Sequence, residues 1–436
     1  MADAMKTAQV LYQGMEIGAV AWEPVQQLGY FEYTAEFIRS GIQLSPLVMP
    51  ARQRGEVFSF PALNKASFFG LPGMLADALP DKFGNAVIDA WLARQGRDRA
   101  SFSPVERLCY IGKRGMGALE FKPATQDKGL NVSTTLDVDE LVSLAQTITR
   151  NRSGLATNIS GTDTSEAIMD IIRVGTSAGG ARPKAIIALN AKGEVRSGQV
   201  SVPPGFEHWL IKFDGVTDME LGEPQQYGRV EYAYYLMAKA FGIDMMESRL
   251  LEEGGRAHFL TRRFDRNGNN KIHAQTLCGL AHYDYNMAGA YSYEQAFQVM
   301  RALGLSKPEA EQLFRRMLFN VVFRNQDDHT KNISFLMDSS GQWRLSPAYD
   351  LIYAHNPAGQ WTNQHQMSIN GKRDEFSYQD IQTVADNIGL KNYRELIDQI
   401  TEVTALWPEF ADQAALSQMR IEEVKSGFRH ALLELR

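Results

Sequence analysis

The stretch FRNQDDHTKNISFLMD, residues 323–338, sets two adjacent aspartates and a histidine ahead of a lysine and an asparagine. It then turns apolar at Ile333, Phe335 and Leu336, as a β-strand would. Asp327 and Asn332 have four residues between them. A phosphoryl-transfer loop uses that interval to separate the carboxylate that receives the acceptor hydroxyl from the amide that holds a magnesium ion. Farther on, SPAYDLIYA carries Asp350. Magnesium takes hard oxygen ligands, and Asn332 with Asp350 offers an amide oxygen and a carboxylate, with phosphate oxygens and water completing the shell. Asp327, with an ordinary carboxylate pKa of about 3.9, is a weak base, so orienting the hydroxyl matters more than taking its proton. Taken alone, DDHTKN also fits a solvated turn.

The case rests on what precedes it. In VGTSAGGARPKAIIAL, residues 174–189, Gly175, Gly179 and Gly180 let backbone N–H groups approach phosphate oxygens, and Lys184 adds a charge. GxxxxGK[ST] is absent, and a tight turn entering a strand would look similar. Lys212 sits inside the apolar run HWLIKF, where an unpartnered ammonium is costly. It is either a strand-end lysine reaching solvent or a lysine that binds nucleotide phosphates. Glu231, on the helix that follows, stands where the carboxylate partner of such a lysine belongs, though a first-turn glutamate is also a favourable surface charge. TRRFDR, residues 261–266, falls where strands give way to helices, the place for an adenine-holding hinge. In order, these are a Gly-rich turn, a strand lysine, a helix glutamate, a strand-to-helix switch, DxxxxN and a second aspartate.

The elements that must position these groups follow from periodicity. AQVLYQGMEIGAVAWEP alternates about a Gln-Gly turn and predicts a hairpin. PDKFGNAVIDAWLARQG has helical spacing, GALEFKP is strand-like, and residues 136–150 and DTSEAIMDIIRV predict amphipathic helices. AIIALN, VRSGQV, HWLIKF, SRLLEE and AHFLTRRF predict strands, with one helix, RVEYAYYLMAKAFGI, among them. After Asp265 every long segment has helical period. The expected fold is α+β: a small α/β domain over 1–125, a strand-rich lobe over 126–263 and an all-helical lobe over 264–436.

Composition sets outer limits. The chain has 436 residues, 44% hydrophobic and 22% charged, too long for one ordinary core. A formal charge of -6 gives no support to binding nucleic acid with the whole surface. Cys109 and Cys278 are far apart and form no zinc motif, and a reducing cytoplasm is the simplest setting. No secretory leader and no membrane span are legible.

SAGGARPKAIIAL, HWLIKF, RRFDR, DDHTKNISF and LSPAYDL, preceded by FGLPGMLADALPDKFGNAVIDAWL and IGKRGMGALEFKP, resemble the HipA family of bacterial serine/threonine-protein kinase toxins. The resemblance covers nearly the whole chain, and the ordered set is more specific than any one motif. It implies a two-lobed kinase using ATP and Mg2+, with Asp327 as catalytic base and Asn332 and Asp350 as metal ligands. Lys212 would bind phosphates, Arg262 to Phe264 would form the hinge, and Asp265 and His329 would lie near the nucleotide. Ser177 matches a loop serine that such kinases autophosphorylate, with Thr176 adjoining it. The family also phosphorylates aminoacyl-tRNA synthetases and pairs with a helix-turn-helix antitoxin that represses the shared operon. This implies such partners here, with DNA reached only through the antitoxin. Two departures stand out: Arg262 replaces a familiar glutamate, and Asp328 replaces a small residue, adding charge beside the base. A small-molecule or lipid kinase, and a catalytically idle corepressor, remain the alternatives.

Overall fold

The computed structural model describes residues 7–94, 96–98, 101–123, 133–150, 182–216 and 226–430. The chain divides into two compact units. Met1–Pro224, Arg249–Gln275 and Met337–Gly341 make the first, and Gln225–Ser248, Thr276–Leu336 and Gln342–Arg436 the second.

The first unit is strand-rich. Thr7–Tyr12 and Met15–Glu23 form the expected hairpin, with Tyr12 paired to Met15. Its two turn residues, Gln13 and Gly14, have φ of 48° and 84°, the left-handed pair that suits the twist of a two-residue hairpin. Three further strands complete a sheet in the order Val57–Phe58, Leu28–Tyr33, Met15–Glu23, Thr7–Tyr12, Leu119–Lys122. Leu28–Tyr33 has no sequence signal apart from its aromatics, and Phe31 and Tyr33 are fully or nearly fully buried. The helix Lys82–Arg94 buries Phe83, Val87, Ile88, Trp91 and Leu92, the residues its period marks. The helix Pro104–Ile111 is closed at its start by a reciprocal pair in which Ser103 and Glu106 cap each other's backbone.

A second sheet in this unit runs Val195–Ser197, Lys184–Asn190, Phe206–Lys212, Arg256–Arg262, Ser248–Glu253. Ala185 to Leu189 are all buried, so this strand shows a continuous apolar run rather than alternation. Register places Lys184 and Phe259 on either side of Lys212 across the sheet.

In the second unit, helices dominate. Tyr227–Ala240, Tyr293–Ala302, Lys307–Val322, Tyr378–Ile388 and Tyr393–Ala405 follow the predicted periods. Tyr234, Phe319, Phe323, Trp407 and Phe428 pack edge to face in its core. Tyr234 satisfies its buried hydroxyl by donating to the Phe323 carbonyl at 2.6 Å. The expectation of an all-helical span over 264–436 needs amendment: Arg266–Asn267, Asn270–Lys271 and His273–Thr276 are short strands, and Ser334–Met337 and Trp343–Leu345 are neighbouring strands just after the DDHTKN loop. The last predicted helix holds only over Gln418–Ser426 in the described residues. Among those residues, no helix is long and apolar enough to cross a membrane. Both cysteines are free and buried, and burial with the Glu106 charge pushes the Cys109 thiol up to about 12.

Candidate active site

The helix Lys307–Val322 delivers the DDHTKN loop. Past its end, Arg324 turns the chain in a left-handed conformation, φ 54°. Asn325 folds back on the helix, donating from its backbone to the Asn320 carbonyl and from Nδ2 to Asn320 Oδ1, both at 2.9 Å. The loop then pairs with the segment after Asp350. Gln326 N–H donates to the Ala354 carbonyl, and Ala354 N–H to the Arg324 carbonyl, each at 3.0 Å. Asn325 Nδ2 also reaches the Asp350 carbonyl at 3.1 Å. Asp350 itself has φ 54°, a conformation that costs a non-glycine residue about 1–3 kcal/mol and persists only where its surroundings hold it. Asn332 closes a short 3-10 turn, and its Nδ2 donates to the Asp327 carbonyl at 2.8 Å. With the nitrogen committed, Oδ1 is the atom left for a cation. Asn320, Asn325, Asp328, His329, Asn332 and Asp350 line one small cavity.

The two adjacent aspartates take opposite directions. Asp327 remains 44% exposed and open to solvent. Its Oδ1 accepts the indole N–H of Trp361 at 2.5 Å, and His329 Nε2 lies 3.9 Å from the same oxygen. Asp328 is buried. Its oxygens accept from the Tyr293 hydroxyl at 2.9 Å, His365 Nδ1 at 2.8 Å and the Gln366 backbone N–H at 2.8 Å. Burial alone would raise its pKa. The His365 charge and hydrogen bond, with the Gln366 and Tyr293 donors, outweigh that and hold the carboxyl below its ordinary value. The charge that Asp328 adds next to Asp327 is therefore turned inward and spent on buried donors, and it anchors the loop from within.

In the strand-rich unit, Lys212 ends its strand partly exposed, its ammonium 5.8 Å from the Phe259 ring centroid. Lys184 does not share that setting. It is 2% exposed and its Nζ lies 3.2 Å from Asp81 Oδ2, so it serves a buried ion pair rather than an open phosphate site. Asp265 also departs from expectation. Fully buried, it accepts from Arg263 Nε at 2.8 Å, Arg266 at 2.5 Å and the Gly117 backbone N–H at 2.7 Å. Against the burial penalty, the two guanidinium groups hold its carboxyl well below the usual range. With its lone pairs occupied, it fastens the chain to the turn at Gly117 instead of facing a nucleotide. Gly117 has φ 70°, and a Cβ there would sit 3.0 Å from the Ala274 nitrogen, so glycine is required. Arg262 spends its side chain on Glu207 at 3.0 Å, and Phe264 is partly buried. Glu231 is 4% exposed, which removes the surface-charge reading. Thr176, Ser177, Gly179 and Gly180, with the predicted helix DTSEAIMDIIRV, lie outside the described residues.

Comparison with known proteins now adds the family. The HipA-like C-terminal domain model matches residues 176–407, and the HipA N-terminal domain model matches residues 8–122. The chain belongs to the HipA family. A Haemophilus influenzae protein named as a candidate kinase is 24% identical over 245 residues, 48% of this chain and 71% of that protein. One of Sinorhizobium fredii, similarly named, is 27% identical over 178 residues, 38% of each chain. Among solved structures, the Shewanella oneidensis HipA in complex with HipB and operator DNA has a TM-score of 0.65. At 18% identity it covers 98% of this chain and 100% of that one, so the likeness is one of fold.

For a HipA-family kinase, the donor set suits a magnesium ion carried largely by phosphate. Asn332 Oδ1 and Asp350 are hard oxygen donors lining one cavity, and among the described residues no cluster of three or more His, Cys, Asp or Glu could hold a metal alone. Trp361, His365, Gln366 and Tyr293 complete the site and carry no sequence signal. The segment NPAGQWTNQHQM reads only as a polar loop, and its proximity to Asp327 comes from the Asn325–Ala354 pairing.

Proposed function

We propose that this chain is an ATP- and Mg2+-dependent serine/threonine-protein kinase. The observation that supports the reading is the bond from Asn332 Nδ2 to the Asp327 carbonyl, which brings the two residues of the sequence interval together in one short turn. It ties the Asn332 side chain to the Asp327 backbone across one short turn and leaves the amide oxygen of Asn332 out of that bond. Asp327, half-exposed, orients the acceptor hydroxyl and receives its proton late. Asn332 and Asp350 hold the metal, which when bound would neutralise phosphate charge. Lys212 supplies a fixed cation for the nucleotide phosphates, Gly179 and Gly180 the phosphate-approaching backbone, Arg262 to Phe264 a backbone hinge, and His329 a polar wall. Within this reading the domain plan is 1–125, 126–263 and 264–436, and the setting is cytoplasmic. The protein substrate is a component of translation such as an aminoacyl-tRNA synthetase. The partner is a helix-turn-helix antitoxin that brings DNA, as the complexed Shewanella relative encourages. Self-phosphorylation falls on Ser177 or Thr176 and places about -1.5 to -2 charge where phosphates of ATP must sit, silencing the enzyme.

Nucleotide binding and phosphoryl transfer, measured side by side, test the assignments. Asp350→Ala loses magnesium-dependent ATP binding. Asp327→Asn binds ATP yet transfers phosphate roughly 10²–10⁴-fold more slowly. Equal loss of binding in both variants removes the separate roles. Mass spectrometry of wild-type and Asp327→Asn protein locates the loop phosphate and shows whether the chain installs it.

A further inference from the structure

Neither catalytic chemistry nor sequence interval explains why the base has an indole against it. Trp361 is partly buried, and its ring nitrogen donates to Asp327 Oδ1 at 2.5 Å, a hydrogen bond to a carboxylate oxygen. The geometry around it is over-determined. Gln366 Nε2 donates to the Trp361 carbonyl at 2.5 Å and lies 3.1 Å from the Gln326 carbonyl, just ahead of the base. The backbone N–H of Gln366 is held at 2.8 Å by Asp328, the residue immediately after the base. Asp328 is kept in place by the buried donors Tyr293 and His365. Because an ionised carboxylate only accepts, His365 must carry its proton on Nδ1. The path leaves the catalytic loop at Asp328, crosses the 361–366 segment, and returns to the loop at Asp327.

We infer that Trp361 is a positioning residue for Asp327, fastened through Gln366 to the inward-facing Asp328. This rests on the kinase reading above. One oxygen of Asp327 is taken by the indole, which leaves the other to meet the acceptor hydroxyl and removes the rotation that would otherwise spread the carboxylate over two orientations. An ordinary wall residue would contact substrate with its ring and need no nitrogen. A positioning residue needs the nitrogen and only secondarily the ring.

Trp361→Phe keeps the ring and deletes the donor. With full-length protein, ATP, magnesium and dephosphorylated casein as hydroxyl acceptor, kcat falls roughly 10- to 100-fold, the scale of one hydrogen bond to a charged group. The KM values for ATP and casein stay within about twofold, because the bond is made to the base and not to either substrate. Gln366→Leu, two steps removed, gives the same pattern more weakly. A raised KM for casein with kcat unchanged overturns the inference in favour of a substrate wall.

An activity-independent arm separates this failure from failure of the kinase reading. In protein labelled with 15N-tryptophan, the six indole N–H signals are recorded and that of Trp361 is assigned by its loss in Trp361→Phe. A bond to a carboxylate moves that signal downfield, and Asp327→Ala, at a half-exposed position that tolerates truncation, returns it to the range of the others. If the Trp361 signal is indifferent to Asp327→Ala, the contact does not exist in solution and the inference falls, whatever casein shows. If the signal moves as expected and wild-type protein transfers no phosphate to any acceptor, the positioning stands and the proposed activity falls.

Discussion

Two buried aspartates, one in each compact unit, draw donors from three residues apiece and do different work. Asp265 in the strand-rich unit accepts from Arg263 and Arg266, its near neighbours in sequence, and from Gly117 N–H. Asp328 in the helical unit accepts from Tyr293, His365 and Gln366, all remote in sequence. The first therefore rests on permanent charge supplied locally and ties down one distant turn. The second rests on a phenol, an imidazole and a peptide N–H, and closes long stretches of chain around Asp327. Asp265 is a staple held by two guanidinium groups, whereas Asp328 is held without any, and a guanidinium placed there would compete for the neighbouring Asp327 carboxylate.

The largest expected effect tests the staple. Asp265→Ala leaves two guanidinium groups buried without their anion, and breaking a buried pair costs about 3–5 kcal/mol. Denaturant unfolding of the purified protein reads this directly. Lys184→Met, which strands the Asp81 carboxylate, belongs to the same class. If Asp265→Ala unfolds normally but loses ATP affinity, Asp265 is a nucleotide ligand after all and the contrast with Asp328 collapses.

Acid comes next and acts on both units. Burial depresses His273 in the strand-rich unit and His282 in the helical unit from 6.5 to about 4. Both sit below their unfolded values, so their contribution is fully present above pH 6.5 and is lost as pH falls towards 4. The shift corresponds to about 3 kcal/mol for each. Asp265 and Asp328 are also depressed, so they stay ionised through this window and their own contributions fail only at lower pH. Denaturant unfolding between pH 7 and pH 4 shows a steady loss of stability, and replacing His273 or His282 by Asn flattens it. A loss that begins only below pH 4 assigns acid sensitivity to the carboxylates instead.

Asp328→Asn is milder on the fold and sharper on the function. The amide keeps one acceptor oxygen but turns a donor towards His365 or Gln366, a mismatch of about 1–3 kcal/mol. Transfer to casein falls more than stability does, since the 361–366 segment loses its anchor. Equal losses of stability and transfer would make Asp328 a second staple.

How legible all this was depends on where the partners lie. The Gln13–Gly14 hairpin, the helix periods and the Asp327–Asn332 interval are local, and local patterns survive in a single sequence. Asp328 and Trp361 were invisible because their partners lie 37 and 34 residues away and meet only once the loop pairs with Ala354. Asp265 misled for a similar reason: its motif adjoins the hinge, but one donor is 148 residues earlier. Polarity near a predicted site carries no label saying which side chain faces solvent.

Lys212 is the position where the smallest structural effect should accompany a complete functional one. It stands directly across the sheet from Lys184, so both ammonium groups leave the same face, where like charges oppose each other. Lys184 escapes by pairing with Asp81, its side chain 3% exposed. Lys212 is only partly buried, with its ammonium 5.8 Å from the Phe259 ring centroid. Lys212→Met retains the stem on Phe259 and relieves the repulsion. The stability change then stays within about 1 kcal/mol, the scale of an exposed cation–π contact, while phosphoryl transfer is abolished. Unfolding curves and transfer assays on the same preparation decide it. A melt many degrees lower would show that Lys212, like Lys184, is holding the sheet together, and the charge assigned to the nucleotide would have to be sought elsewhere.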